Sequence, residues 1–454
     1  MNANTQTIIL AAGAGTRMNS NIPKVLHKLA DKSLLQHVLD KAKEISPKIS
    51  VIYGHLGAMV RKSISDKNIS WVMQKEQKGT GHAVMQAMPN INDNDNVLIL
   101  YGDVPLIKST TLAKLIETLN IADICILSAL LANPFNYGRI LRDENNNVKA
   151  IVEHKDANRE ELKIKEINSG IMAIKAKYLN KYLVMLKSNN AKGEFYLTDI
   201  IGLAVKDELQ VMSIISKDEY EIMGINDKKQ LAELEKVYQL QKACQLAEQG
   251  LRINDLSRFD LRGTIKFGKD CKIDINVIIE GDVILADNVE IEANTIIRNS
   301  IIGNNSKILA NSIVEMATIK ENVTIGPFAR IREGSVFNNN AKVGNFVETK
   351  KTTVGNGSKA SHLSYLGDST IGDNVNIGAG CITCNYDGVN KHQTIIEDNV
   401  FVGSDTQLIA PVTIHKNATI GAGSTISKNV AEDKLTITRA KQITVDNWKR
   451  PSKK

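Results

Sequence analysis

From about residue 265 onward, aliphatic side chains recur every six positions, and no other feature of the chain restricts its fold as strongly. Ile273, Ile279, Leu285, Ile291 and Ile297 form one series. Ile313, Ile319, Ile325, Ile331, Phe337 and Val343 form a second, and Ile396, Val402, Leu408, Ile414, Ile420 and Ile426 a third. A helix stripe repeats near 3.6 residues and a simple strand at two, so a period of six excludes both. It fits a parallel β-helix in which three hexapeptides make one triangular coil and each aliphatic fills the inside of a face. Glycines follow many of these residues (Gly303, Gly326, Gly344, Gly355, Gly372, Gly378, Gly403, Gly421); with Asn304, Asn356 and Asn374 they suit tight corners of positive φ. The period slips between Val354 and Ile371 and between Ile377 and Ile396, each spacing one off a multiple of six. Both stretches read as loops inserted into the coil, and polar residues gather in them.

The first ~225 residues are written differently. Thr7-Ile8-Ile9-Leu10, Ile49-Ser50-Val51-Ile52-Tyr53 and Asn96-Val97-Leu98-Ile99-Leu100 are short apolar runs, separated by helical patterns over residues 34–45 and 110–120. Alternation of this kind predicts an α/β domain, Rossmann-like, with a mostly parallel sheet, helices on both faces and ligands at the carboxyl ends of its strands. Residues 227–250 are charged and amphipathic with a closing glycine, which reads as one connecting helix. The expected organisation is therefore 1–226, a linker helix 227–250, and a β-helix with a C-terminal tail over 251–454. At 454 residues, two or three domains are the prior expectation.

Composition narrows the class. No apolar run approaches the ~20 residues of a membrane helix, and residues 1–7 lack a signal-peptide pattern, so a cytoplasmic protein without membrane partners is expected. Five scattered cysteines (Cys125, Cys244, Cys271, Cys381, Cys384) argue against a disulfide framework. Cys381-x-x-Cys384 has no second Cys or His pair at ligand spacing, which speaks against a zinc or redox site. The net charge of +7 suggests anionic partners; the tail Lys449-Arg450-Pro451-Ser452-Lys453-Lys454 holds four of those charges and reads as a solvated end. Basic clusters interleaved with aromatics are missing, which speaks against nucleic acid.

The first strand leads into Leu10-Ala11-Ala12-Gly13-Ala14-Gly15-Thr16-Arg17-Met18. Small residues there let the backbone approach a phosphate, although neither the dinucleotide fingerprint nor the P-loop pattern is complete. Arg17, Pro23-Lys24-Val25-Leu26 and Tyr101-Gly102-Asp103-Val104-Pro105-Leu106 accompany it. In these motifs the sequence resembles sugar-nucleotidyltransferases. Joining a nucleoside triphosphate to a sugar 1-phosphate brings two polyanions together, and unit charges 4 Å apart repel by ~4 kcal/mol at an effective dielectric of 20. Cations and a metal ion are therefore needed: Arg17 and Lys24 can supply the first, and Asp103 offers a hard oxygen suited to Mg²⁺.

Longer motifs extend the likeness to nearly the whole chain: Pro23-Lys24-Val25-Leu26-His27, Gln77-Lys78-Gly79-Thr80-Gly81-His82-Ala83, Ile151-Val152-Glu153-His154-Lys155-Asp156-Ala157, Glu166-Ile167-Asn168-Ser169-Gly170 and Gly224-Ile225-Asn226. The chain is similar to the family of bacterial bifunctional enzymes that combine an N-acetylglucosamine-1-phosphate uridylyltransferase with a glucosamine-1-phosphate N-acetyltransferase. The resemblance implies that Leu10, Ala11, Ala12, Gly13, Lys24, Tyr101, Gly102 and Asp103 line the nucleotide site and that Gln74, Gly79 and Thr80 contact uracil. It implies further that Gly138, Glu153 and Asn168 hold the N-acetylated sugar and that Asn226 joins Asp103 on Mg²⁺. Ala14 departs from the lysine usual at that point of the loop, leaving the phosphates to backbone and Arg17.

The same resemblance assigns acetyl transfer to a left-handed β-helix. The substrate amine is largely an ammonium ion at neutral pH, so a base must free its lone pair. His362, in Ser361-His362-Leu363-Ser364-Tyr365-Leu366-Gly367, is the expected base, with Glu348 to orient it. The family pattern puts the sugar phosphate against Arg332, Lys350, Tyr365 and Asn376, and acetyl-CoA against Asn385, Tyr386, Ser404, Ala422 and Arg439. A homotrimer is implied by analogy with such β-helix acyltransferases. Two other readings stay open from the residues alone: a single-activity nucleotidyltransferase with a β-helical spacer, and an acyl-enzyme through Cys381 or Cys384.

Overall fold

The computed structural model describes residues 4–13, 15–54 and 56–452; Ala14 of the glycine-rich loop and Lys453 and Lys454 of the tail lie outside the described residues. The chain divides into two compact units that meet between Tyr238 and Gln239, within the helix Lys228–Glu248.

The first unit is built on a nine-stranded sheet: β1 (Thr5–Ala11), β2 (Lys48–Tyr53), β3 (Ile69–Met73), β4 (Asn96–Tyr101), β5 (Ile124–Leu130), β6 (Gly138–Arg142), β7 (Val148–Val152), β8 (Glu166–Lys175) and β9 (Val211–Ser216). The main path runs β9-β5-β8-β4-β1-β2-β3. Strand β1 is buried along all seven residues, and its side chains alternate between two cores: Ile8 and Leu10 on one side, Ile9 and Ala11 on the other. Successive strand residues point to opposite faces, so an unbroken apolar run needs a cover on each. Helices Thr80–Ala87, Ala176–Leu183 and Asp199–Lys206 supply one cover, and Leu34–Ile45, Gly57–Ser63 and Ser109–Thr118 the other. Helix Leu34–Ile45 spans the residues its periodicity indicates; Ser33 Oγ caps it by accepting from the Gln36 N–H at 3.2 Å.

The expected parallel sheet is found in β4-β1-β2-β3. The sheet as a whole is mixed, because β8 enters antiparallel between β4 and β5 and also carries the β6–β7 hairpin antiparallel to itself. The β8 run Glu166–Lys175 is almost wholly buried, and burial on both faces erases the alternation that would have announced a strand.

The second unit is a parallel β-helix. Most coils pair with the next at offsets of 17 or 18 residues: Ile279 with Ile297, Ile297 with Val314, Val314 with Ile331; across the later excursion the offset is 25, as for Ile377 with Val402. The inward-facing aliphatics make one continuous core from Ile273 to Ile426. The register corrects one position. Ile313 is only half-buried and Val314 is the fully buried inner residue, because the coil saves one residue at the following corner, between Val314 and Ile319.

The corners also differ from expectation. Asn288, Asn305, Asn322, Asn340, Asn374, Asn399 and Asn417 take the left-handed conformation. Asn304 and Asn356 stand one place earlier, and their side-chain oxygens accept backbone N–H groups of the previous coil, from Asp287 at 3.0 Å and Asn339 at 3.1 Å. Of the glycines following inner aliphatics, only Gly326 has positive φ. The others answer to the closeness of the next coil: a Cβ on Gly344 would lie 1.9 Å from Ser361 O.

The stretch from Val354 to Ile371 is not an inserted loop. Ala360 and Leu366 fill inner positions within it, and the coil simply loses one residue at a corner. The stretch from Ile377 to Ile396 does contain an excursion, residues 385–392, between the inner residues Thr383 and Thr394.

Helix Lys228–Glu248 serves each unit separately. Leu231, Leu234, Val237 and Tyr238 pack with Leu29, Leu34, Leu106 and Ile225 in the first. Ala243 and Leu246 join the β-helix core in the second. No helix among the described residues is long and apolar enough to cross a membrane.

Candidate active sites

The carboxyl ends of β1, β3 and β4 open onto a cavity of about 970 Å³. Its wall includes Leu10, Ala12, Gly13, Arg17, Lys24, Gln74, Gly79, Thr80, Tyr101, Asp103 and Asn226, eleven of the residues singled out from sequence. The Lys24 ammonium forms an ion pair with Asp103 Oδ2 and donates to Asn226 Oδ1 at 3.2 Å, drawing together residues up to 202 positions apart. Two hard oxygen donors thus face one cation position. This donor set fits Mg²⁺, which keeps several waters and takes one or two protein oxygens alongside substrate phosphates.

Around the floor, Gln77 Nε2 donates to Ala12 O at 3.0 Å, fixing the glycine-rich loop against the segment after β3. Gln74 Nε2 lies 3.3 Å from Gly79 O and 3.1 Å from His82 Nδ1. Gly79 has φ 105°, and a Cβ there would meet Phe195 O at 2.6 Å, so no other residue fits without moving the chain. Burial pushes the Tyr101 hydroxyl far above its ordinary range, keeping it a neutral hydrogen-bonding group.

Ala11 and Gly102 sit behind the wall at the ends of β1 and β4. Gly138, Glu153 and Asn168 form a neighbouring group: Gly138 pairs with Asn168 across β6 and β8, and a Cβ on Gly138 would lie 3.5 Å from Glu153 Oε1. Glu153 accepts from Thr198 Oγ1 at 3.1 Å, and burial raises its carboxyl. Sequence reasoning missed the opposite wall: Asn133, Phe135, Asn136 and Tyr137 of the β5–β6 loop, with Lys192 and Glu194. No spacing signal marks them, because a loop that closes a cavity from afar has no period.

On the β-helix, His362 ends the strand Lys359–His362 and is exposed. It pairs in register with Asn345, the last residue of Lys342–Asn345, and its Nδ1 donates to Asn345 Oδ1 at 2.8 Å. An amide oxygen only accepts, so Nδ1 is the donor of this bond, and in the matching uncharged tautomer the lone pair lies at Nε2. Asn345, and not Glu348, therefore holds the imidazole. Glu348 instead accepts from Arg332 Nη1 at 2.8 Å, while Lys350 Nζ lies 3.1 Å from Glu333 Oε1.

Arg332 and Lys350 occupy adjacent coils on one face. Tyr365 stands opposite Glu348 in the following coil and lies over Gly367, where a Cβ would meet its Oη at 2.4 Å. Asn376 is exposed on the strand next to Lys359. Asn385 is buried; its Nδ2 donates to Asp368 Oδ2 at 2.5 Å and reaches Tyr365 Oη at 3.5 Å. Ser404 O accepts from Gly423 N at 2.8 Å, which puts Ser404 and Ala422 on successive coils, and Arg439 packs against Gly423. Tyr386 is exposed on the excursion.

All five cysteines are free thiols. Burial raises both Cys381 and Cys384 above the ordinary thiol range, which keeps them protonated and poor nucleophiles. Among the described residues no group of three or more His, Cys, Asp or Glu side chains is placed to hold a metal.

Comparison with known proteins agrees with the two-part build. The MobA-like NTP transferase domain family matches residues 7–149, and the GMPPB C-terminal domain family matches 261–354. The hexapeptide repeat of succinyl-transferase matches 369–390 and the bacterial transferase hexapeptide matches 393–428. A solved structure of UDP-glucose pyrophosphorylase complexed with UDP-glucose is 19% identical, with a TM-score of 0.44 over 52% of this chain and 98% of that one. The bifunctional protein GlmU of Ruthia magnifica is 55% identical, covering 99% of this chain and 100% of that protein. Its counterpart in Saccharophagus degradans is 52% identical over the same shares. The chain therefore belongs to the GlmU family of bifunctional transferases, a nucleotidyltransferase domain joined to a hexapeptide acyltransferase domain.

Proposed function

We propose that the β-helix transfers acetyl from acetyl-CoA to glucosamine 1-phosphate, and that the first unit then transfers uridylyl from UTP to the N-acetylglucosamine 1-phosphate so formed. The products are UDP-N-acetylglucosamine and pyrophosphate. The observation that carries this reading is the convergence of Lys24, Asp103 and Asn226 on one cation position at the cavity wall.

In uridylyl transfer, an oxygen of the sugar phosphate attacks the α-phosphorus as the bond to the β-phosphate breaks. The attacking group is already an anion, so no general base is required. Arg17 and Lys24 offset the charge of the phosphates, and the backbone at Ala11, Ala12 and Gly13 lets them approach closely. Asp103 and Asn226 would hold Mg²⁺, which when bound neutralises phosphate charge. Gln74, Gly79 and Thr80 read the uracil edge, where donors and acceptors of an amide and the backbone match it. Gly138 leaves room for the sugar, and Glu153 and Asn168 accept and donate to its hydroxyls and amide.

In acetyl transfer, His362 Nε2 takes a proton from the substrate ammonium group, freeing its lone pair to attack the thioester carbon. The new N–C bond forms, the C–S bond breaks, and the CoA thiolate leaves, taking up the second proton that the nitrogen sheds as it becomes the amide. Asn345 holds the ring with Nε2 outward. Arg332, Lys350 and Tyr365 bind the sugar phosphate, Asn376 binds the sugar, and Asn385, Tyr386, Ser404, Ala422 and Arg439 bind acetyl-CoA. The raised Cys381 and Cys384 thiols favour direct attack over an acyl-enzyme. The hexapeptide repeats support a homotrimer, and we place the enzyme in the cytoplasm with its small-molecule substrates.

Product analysis tests the proposal. Purified protein with glucosamine 1-phosphate, acetyl-CoA, UTP and Mg²⁺ should yield UDP-N-acetylglucosamine, and omission of any one component should abolish it. Product formed only from pre-acetylated sugar phosphate, with acetyl-CoA ignored, would instead support a single-activity enzyme on a β-helical spacer.

A further inference from the structure

The excursion over residues 385–392 carries Asn385 and Tyr386 yet contributes no inner aliphatic to the coil, so its shape needs another source. Asp387 provides it. Its Oδ1 accepts the backbone N–H of Val389 at 2.8 Å and of Asn390 at 2.6 Å, and its Oδ2 accepts from His392 Nε2 at 2.7 Å. The base of the loop is closed by the His392 N–H donating to Asn385 O at 2.8 Å and by the bridge between Tyr386 and Lys391. Tyr386 Oη donates to Gly388 O, and Lys391 Nζ stands 5.1 Å from the centre of its ring. One carboxylate thus ties together both limbs of the hairpin. The Asn390 and Val389 amides and His392 hold it well below the usual carboxylate range, so it stays ionised.

We propose that Asp387, with His392 as its partner, is a positioning residue for acetyl transfer: it fixes Asn385 and Tyr386 in the geometry that receives acetyl-CoA. This rests on the reading of the second site given above. Asp387 acts through its two neighbours and does not meet the reacting atoms. An untied loop would have to be ordered each time acetyl-CoA binds, and the backbone freedom lost then weakens binding. The effect belongs in the KM for acetyl-CoA, because His362 and Asn345 stand on regular strands and do not depend on the excursion.

The test is CoA release by the full-length protein with glucosamine 1-phosphate, comparing wild type with Asp387→Ala, Asp387→Asn, His392→Ala and His392→Gln. Asp387→Ala should raise the KM for acetyl-CoA about tenfold or more, with kcat and the KM for glucosamine 1-phosphate within about twofold of wild type. His392→Gln, which still offers a donor to Oδ2, should restore much of what His392→Ala loses. Uridylyl transfer from pre-acetylated sugar phosphate should be unchanged in all four. If Asp387→Ala does not fold, Asp387→Asn is the reading variant, with an increase of about threefold expected because its amide oxygen still accepts from the two loop amides. An unmoved KM for acetyl-CoA in an active enzyme would overturn the proposal alone, as would equal rises in both KM values. A wild type that releases no CoA would overturn the reading of the second site, and this proposal with it.

Discussion

Asn345 owes its importance to one bond. Its oxygen on His362 Nδ1 selects the tautomer in which Nε2 is free, and neither residue is held by burial. Asn345→Ala should therefore lower kcat for acetyl transfer about 10- to 100-fold with little change in either KM, and Asn345→Asp, which keeps an acceptor, should restore most of it. Asp199 illustrates the opposite balance. Asp199 is exposed as a residue, but partial desolvation of its carboxyl first, then Glu153 and Asp156, push it up to about 6. At low pH the group is protonated in both folded and unfolded chains. As pH rises through about 4 to 6 the unfolded chain ionises first, so folding loses stability, and above about 6 the penalty is complete. Asp199→Asn should stabilise the first unit at pH 8 by about 1 kcal/mol, after allowance for solvent screening and for the favourable charge it removes from the start of helix Asp199–Lys206. Urea unfolding should show much less gain at pH 4.5; an equal gain at both pH values would contradict the charge explanation.

Elements of the β-helix are too short to be stable alone, most of them two or three residues, and they persist because each lies on the coil before it. Register is the governing variable. Val314 faces the interior with no exposure and Ile313 faces outward, so Val314→Ala should cost about 2 kcal/mol and Ile313→Ala less than about 1, although isoleucine loses more carbon. Chemical unfolding of the two variants decides it, and the reverse order would mean that the inner series follows the unbroken six-residue count. That count was legible in the sequence wherever whole hexapeptides follow one another, as from Ile319 to Val343. It misled at corners that drop a residue, because a missing corner position and an inserted loop leave the same remainder. Val354 to Ile371 counts like an insertion for this reason, yet the coil is continuous there and His362 stands on a strand of it.

At the scale of the whole molecule, two chemistries sit on two independently cored units, and they should separate cleanly. Asp103→Ala should lower uridylyl transfer about 10²- to 10³-fold and leave acetyl transfer intact. His362→Ala should lower acetyl transfer about 10²- to 10⁴-fold and leave uridylyl transfer intact. Chelation of divalent ions by EDTA should follow the first pattern, with Mg²⁺ restoring activity. Each activity assayed alone checks all three, and loss of both from any one treatment of a folded protein would refute the separation.

The sequence by itself determined the coil, the α/β layering, the linking helix and one wall of the cavity. Each of these is carried by local periodicity or by short contiguous motifs, which survive without knowledge of the fold. Tertiary structure alone decided what depends on residues distant in the chain. Strand Glu166–Lys175 takes its antiparallel place because two other strands leave a gap for it. Asn345 meets His362 because coils are 17 residues apart at that point, and Glu348 is claimed by Arg332 one coil earlier. Hydrogen bonds of this kind are chosen by the register between neighbouring coils, and a single residue lost at a corner resets every partner beyond it.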